Sequence, residues 1–230
     1  MRLYALTISA LLSLTPMAAQ AKAPVLVELF TSQGCAACLD ADAYVSALAS
    51  RDDVLPLTFS VDYQDYLGWR DTFAKPEFGE RQKAYARRLT GKALYTPQLV
   101  IGGRSQASGA RQGQVERLID DVADDNVRGP SLRRQGKDRI ALSAGRAPKG
   151  GAEVWLIRYD PRSREVEVGK GENKGKVIAY RNVVRELEKL GAWAGKARVL
   201  KLPEAKDEGL KTAVIVQQTG GGRVLAVLAE

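Results

Sequence analysis

An apolar run, Val25-Leu26-Val27-Glu28-Leu29-Phe30, passes through Thr31-Ser32-Gln33-Gly34 into Cys35-Ala36-Ala37-Cys38, and a helix-like stretch follows at once. No other feature limits the possible folds as tightly. A run broken only by Glu28 reads as a strand buried on both faces, the pattern of a parallel sheet. A C-x-x-C between such a strand and a helix start is the setting in which a cysteine becomes reactive. The thiolate, not the thiol, attacks a disulfide, and a free cysteine with a pKa of about 8.5 is mostly protonated at neutral pH. A helix start offers unpaired backbone N–H groups and the positive end of the dipole. Cys35 is therefore the expected nucleophile, and Cys38, one turn further on, the expected resolving thiol. Asp40 and Asp42 place negative charge in the same turns, so a moderate lowering of the Cys35 pKa is expected.

These are the only two cysteines of the 230 residues, and the chain has no histidine. That removes Ser-His and Cys-His nucleophile pairs and most zinc sites. Disulfide exchange is one of the few cysteine chemistries that needs no imidazole. No cofactor or metal ligand set is expected. The net charge of +8 is spread among acidic residues throughout, with no basic run interleaved with aromatics. It reads as a solvated surface and not as a nucleic-acid footprint.

The N-terminus carries an export signature. Met1-Arg2 is basic, residues 3–14 are apolar but too short to span a bilayer, and Ala19-Gln20-Ala21 is an A-x-A site before Lys22. Residues 1–21 are read as a signal peptide, and the mature chain as periplasmic or secreted, where a disulfide persists.

Further along, residues 54–61 read as a second strand. Pro76-Glu77 opens a helix that stops at Thr90-Gly91. Residues 98–101 form a strand, Gly102-Gly103 a hairpin turn, and residues 104–107 the return. Val115, Leu118, Ile119 and Val122 mark an amphipathic helix. The order β-α-β-α-β-β-α, with C-x-x-C after the first strand, is that of a thioredoxin-like fold, expected over residues 22–127. In that fold Thr96-Pro97 stands where a cis-proline faces the cysteines and receives substrate. The aromatic, acidic loop from Asp62 to Arg70 follows the second strand, at the sheet edge where open α/β sheets bind ligands. Asp62 is a candidate proton carrier for Cys38, and Tyr63 and Trp69 are candidate substrate contacts. The alternative is that the aromatics cover the core edge.

A Gly/Arg/Lys-rich stretch over residues 126–137 reads as a linker. Short strands follow at 139–143, 153–159, 165–168, 176–184, 197–202, 212–218 and 223–228, with Gly220-Gly221-Gly222 as a hairpin turn. They suggest a small β-sandwich over residues 138–230. The glycine spacing of Gly171-Glu172-Asn173-Lys174-Gly175-Lys176 does not make a phosphate loop.

Four segments in order, VELFTSQGCAACLDADA, VDYQDYLGWRD, RQKAYA and YTPQLVIGG, together with GENKGKVIAYRNVVREL, resemble a family of exported bacterial thioredoxin-like proteins of unknown function. The family typically has C-S-S-C followed by Pro-Pro, with a histidine and a tryptophan near the Asp-Tyr loop. Here Leu39-Asp40, Ser60 and Gln64 stand at those places. The resemblance implies a thioredoxin-like fold and a redox role. Cys35, Cys38, Asp62, Thr96 and Pro97 are the residues that match.

Three functions fit the sequence. The first is an exported thiol-disulfide oxidoreductase acting on protein or small-thiol substrates. The second is a non-catalytic binding protein on the same scaffold with a structural disulfide. The third is a Cu(I) carrier using both thiolates.

Overall fold

The computed structural model describes residues 23–91, 94–125 and 127–230. The expected signal peptide lies outside these residues. Among the described residues, no helix is long and apolar enough to cross a membrane.

The first half runs β1 (Val25–Thr31), α1 (Leu39–Leu48), β2 (Val54–Ser60), α2 (Pro76–Leu89), β3 (Gln98–Ile101), β4 (Ser105–Ser108) and α3 (Gln112–Ala123). The element order matches the sequence reading. α2 begins on Pro76, whose missing N–H costs nothing at the first helical position, and ends on Arg87 and Arg88 at the negative end of its dipole. The second half is β5 (Leu132–Arg134), β6 (Arg139–Leu142), β7 (Ala152–Asp160), β8 (Arg164–Glu167), β9 (Val177–Tyr180), β10 (Val183–Trp193), β11 (Arg198–Lys201), β12 (Lys211–Gln218) and β13 (Val224–Ala229). β5 lies inside the stretch read as a linker. The segment read as one strand over 176–184 is two, because Asn182 turns the chain with a φ of 51°. Asparagine tolerates this conformation better than most residues.

The result is a mixed α/β molecule built on one eight-stranded sheet. Its order is β13-β12-β7-β10-β2-β1-β3-β4, so it runs through both halves of the chain. β1 and β2 are parallel, and β3 and β4 add antiparallel. β10 joins beside β2 at Val183–Thr58, and the Asn182 carbonyl accepts from the Thr58 N–H. The join is this short because β2 carries Pro56, which has no N–H to donate. Asn182 Nδ2 instead donates to the Pro56 carbonyl at 2.9 Å.

Strand alternation divides the sheet into two faces. On one, Leu26, Phe30, Leu57, Phe59, Ile157 and Ile215 pack around Phe78 and Tyr85 of α2. On the other, Val27 and Leu29 meet α1 and α3 through Ala41, Val45, Val115 and Ile119. Further along that second face, Val154, Leu156, Val214 and Val216 are covered by Leu132, Ile140 and Leu200 of a three-stranded sheet, β11-β6-β5. The two-stranded ribbon β8-β9 packs separately, its Ile178 and Tyr180 against Leu39, Trp69 and Phe73.

Candidate functional site

Cys35 and Cys38 form a disulfide at the C-terminal end of β1. Cys35 precedes a single 3-10 turn, Ala36–Cys38, which leads straight into α1. The turn is pinned by backbone bonds from Cys35 N–H to the Ser32 carbonyl and from Cys38 N–H to the Cys35 carbonyl. Ala36 and Ala37 are exposed. Cys35 is 6% exposed and Cys38 0%, so solvent and any partner reach the bridge from the Cys35 side.

Thr96 reaches that side. Its hydroxyl lies 3.5 Å from Cys35 Sγ as donor and accepts from Gln64 Nε2 at 3.0 Å. The hydroxyl proton is thereby directed at the sulfur. The Thr96–Pro97 bond is cis, as expected from the sequence. Pro97 is wedged against α1 by Gly109, where a Cβ would sit 2.5 Å from the Ala41 Cβ and 3.0 Å from Pro97.

The other sequence candidates spread out. The Asp62 carboxylate faces the first turn of α2, 3.8 Å from the Cβ position of Gly79. The Tyr63 hydroxyl donates to Gln82 Oε1 at 3.0 Å, and its burial raises its pKa to about 12. Trp69 donates from Nε1 to Gln33 Oε1 at 2.9 Å and packs with the β8-β9 ribbon. Thr96 is thus the candidate that touches a sulfur. Tyr63 and Trp69 cover core edges, the alternative the sequence left open.

Several residues near the bridge were not singled out. Gln33, buried in the loop before Cys35, gives its N–H to Asp71 Oδ2 at 2.8 Å and its carbonyl to Asn173 Nδ2 at 2.9 Å. Asn173 is fully buried. It belongs to the glycine-rich segment that fails as a phosphate loop, and those glycines let it close on the site. A Cβ at Gly171 would sit 2.6 Å from the Leu67 carbonyl oxygen, and one at Gly169 would sit 3.0 Å from the Trp69 ring. No local motif could have shown this contact, which spans 140 residues. Gln64 had a signal, as a departure from the related family's tryptophan.

The buried carboxyl on the cysteine helix is Asp42. It stands four residues after Cys38 on the same inward face and accepts from the Thr31 hydroxyl at 2.7 Å. Burial, with only partial relief from that bond, holds its pKa well above the usual carboxylate range. Asp71 is shifted the same way by burial, against the backbone donors of Gln33 and Phe73. Among the described residues, no group meets Asp42 Oδ2, Ser60 Oγ or the Tyr180 hydroxyl in good hydrogen-bonding geometry, and all three are buried. Asp40, by contrast, points to solvent. Among the described residues, no group of three or more Cys, Asp or Glu side chains could hold a metal.

Comparison with known proteins agrees with this architecture. A crystal structure of a protein from Agrobacterium tumefaciens is similar at 31% identity and a TM-score of 0.73, over 92% of this chain and 95% of that one. HBP35 of Porphyromonas gingivalis shares the fold at 12% identity and a TM-score of 0.58, over 91% of this chain and 75% of that one. No curated protein matches. A protein family of unknown function, DUF1223, matches over residues 26–217, and the chain belongs to that family.

Proposed function

We propose that the protein is an exported thiol-disulfide oxidoreductase with a thioredoxin-like redox half. The observation that carries this reading is the Thr96 hydroxyl aimed at Cys35 Sγ. A hydroxyl donor favours a thiolate over a thiol, and it sits on the more accessible sulfur. From the disulfide state, a substrate thiolate attacks Cys35 Sγ, the Cys35–Cys38 bond breaks, and Cys38 leaves as a thiolate that takes up a proton. A second substrate thiolate attacks the substrate sulfur of the mixed disulfide and displaces the Cys35 thiolate. The substrate dithiol is oxidised by two electrons and the pair is reduced. The reverse sequence reduces a substrate disulfide. Pro97 and Thr96 form the edge against which the substrate lies. Asp42, one helical turn from Cys38 and with its pKa raised by burial, is the first carboxyl to test as proton donor to the leaving thiolate. Asp62 remains the second proton carrier to compare with it.

The near-complete burial of the bridge favours a second reading, a binding protein with a structural disulfide. The two separate on one experiment, alkylation of each cysteine in the reduced protein across pH. The oxidoreductase reading expects Cys35 to react with a pKa below the free value of about 8.5 while Cys38 is protected. Thr96→Val should shift the Cys35 value upward. If both cysteines titrate at or above the free value, or neither reacts, the bridge is structural. Asp42→Asn and Asp62→Asn, compared in the same assay, identify which carboxyl serves Cys38.

A further inference from the structure

A cavity of about 360 Å³ opens between α2 and the β7-β10-β12 part of the sheet, lined by residues other than the cysteine pair and its neighbours. Its size is that of a small-molecule site. Its walls include Trp155, Leu187 and Ala84, and its floor is Arg81. The Arg81 side chain is 4% exposed.

The bonding of this arginine is incomplete in one direction. Nε donates to Glu28 Oε1 at 2.5 Å. Nη2 faces Glu28 Oε2, the Tyr85 hydroxyl and Gln217 Oε1 at 3.2, 2.9 and 3.2 Å. Gln217 Nε2 in turn is used by Tyr85 and the Gly222 carbonyl. No described residue accepts from Nη1, and Arg81 lines the cavity. A guanidinium has five N–H donors, two of them on Nη1. The plane is held by the Phe59, Tyr85 and Trp155 rings, 5.2 to 5.8 Å away, so the unused pair points in a fixed direction.

Charge decides what those donors accept. Glu28 already neutralises Arg81. The lining above it carries Glu77, Glu80 and Glu153 against Lys189. An anion entering would meet net negative charge without gaining an unpaired cation. A cation would meet only N–H donors at the bottom, with no lone pair to accept from it. A neutral oxygen acceptor on an apolar body satisfies both ends of the cavity. We infer that the cavity between α2 and the sheet is a binding site for a neutral, carbonyl-bearing apolar molecule, its oxygen accepting from Arg81 Nη1 and its body lying against Trp155 and Leu187. Keeping a buried ion pair in a core costs stability that apolar residues of similar volume would not. A ligand role accounts for that cost.

The test uses the full chain in its disulfide form and three probes: benzophenone, diphenylmethane and 4-benzoylbenzoate. Binding is followed by the shift of the Trp155 indole N–H resonance, assigned by its loss in Trp155→Phe. Benzophenone should shift it saturably. Diphenylmethane, which lacks the acceptor, should bind at least about fivefold more weakly, and the anionic probe more weakly than benzophenone. Leu187→Phe should reduce benzophenone binding by filling the space, with cysteine alkylation unchanged. Equal binding of benzophenone and diphenylmethane would overturn acceptor recognition, and absence of any saturable shift would overturn the site. The probes act on the native chain, so no outcome depends on whether an Arg81 variant folds. None of them bears on the cysteine reading.

Discussion

Asn173 and Asp42 show how much of the cysteine loop's order is set by single buried polar groups. Asn173 Nδ2 is the described side-chain donor to the Gln33 carbonyl. A buried carbonyl stripped of its donor costs about 1 to 3 kcal/mol. Asn173→Ala should therefore lower unfolding stability by that amount in denaturant titration, and Asn173→Asp, which has no donor, should not restore it. A change below about 0.5 kcal/mol would mean that the loop closes without this bond. Asp42 sets a pH dependence. Its folded pKa is raised by burial, so the folded state binds this proton more tightly than the unfolded chain does. The stability tied to it is present at low pH and is lost as pH rises from the ordinary carboxylate range, about 4, toward the raised folded value. Asp42→Asn lacks this loss, so its stability relative to the native protein should increase from pH 4 to pH 7.5. Asp71 shifts in the same direction and is common to both proteins. A relative stability of Asp42→Asn that falls as pH rises would show that Asp42 ionises favourably where it sits.

At the level of elements, what was legible in the sequence follows from local physics, and what was missed is long-range. The β1-loop-α1 unit, the helix after Pro76, the Gly102-Gly103 hairpin and α3 each carry their own periodicity or turn chemistry, and each is present. β5 was hidden in a Gly/Arg/Lys-rich stretch because its three residues, Leu-Arg-Arg, carry only one apolar side chain. The break at Asn182 was hidden because apolar residues lie on both sides of it. The cysteine pair stood out by its spacing and Thr96-Pro97 by its place before a strand in the expected element order; the pair is bridged and the bond is cis. Gln33, Asp71 and Asn173 were not legible, because their value lies in partners far along the chain. Gly109 is an element-level case. It joins β4 to α3 and lets that loop touch both α1 and Pro97. Gly109→Ala would force its Cβ into Ala41, and overpacking of this kind costs about 1 to 3 kcal/mol. Alongside that loss in thermal unfolding, Cys35 alkylation in the reduced variant should change, since Thr96 rides on the displaced turn. Altered stability with native Cys35 reactivity would uncouple the β4-α3 loop from the bridge.

Across the whole molecule, the Glu28-Arg81-Tyr85-Gln217 network ties β1, α2 and β12 together. Removing one member of a buried ion pair strands the other and costs about 3 to 5 kcal/mol, whereas removing both is far milder. Glu28→Gln and Arg81→Met should each be strongly destabilising. The double variant should lose clearly less than the sum in a thermodynamic cycle. Additive losses would mean that the two charges are independently satisfied.

The neighbour of β2 on one side is β10, whose residues come more than a hundred positions later in the chain. As the polypeptide emerges, β1 to β4 and α1 to α3 are complete while that flank of β2 has no strand beside it. Phe59 and Phe78 then lack the cover of Ile157 and Ile215. Such a nascent half is a long-lived aggregation hazard, because pairings between distant segments form slowly. That flank of β2 therefore stays open until β7, β10 and β12 have joined the sheet.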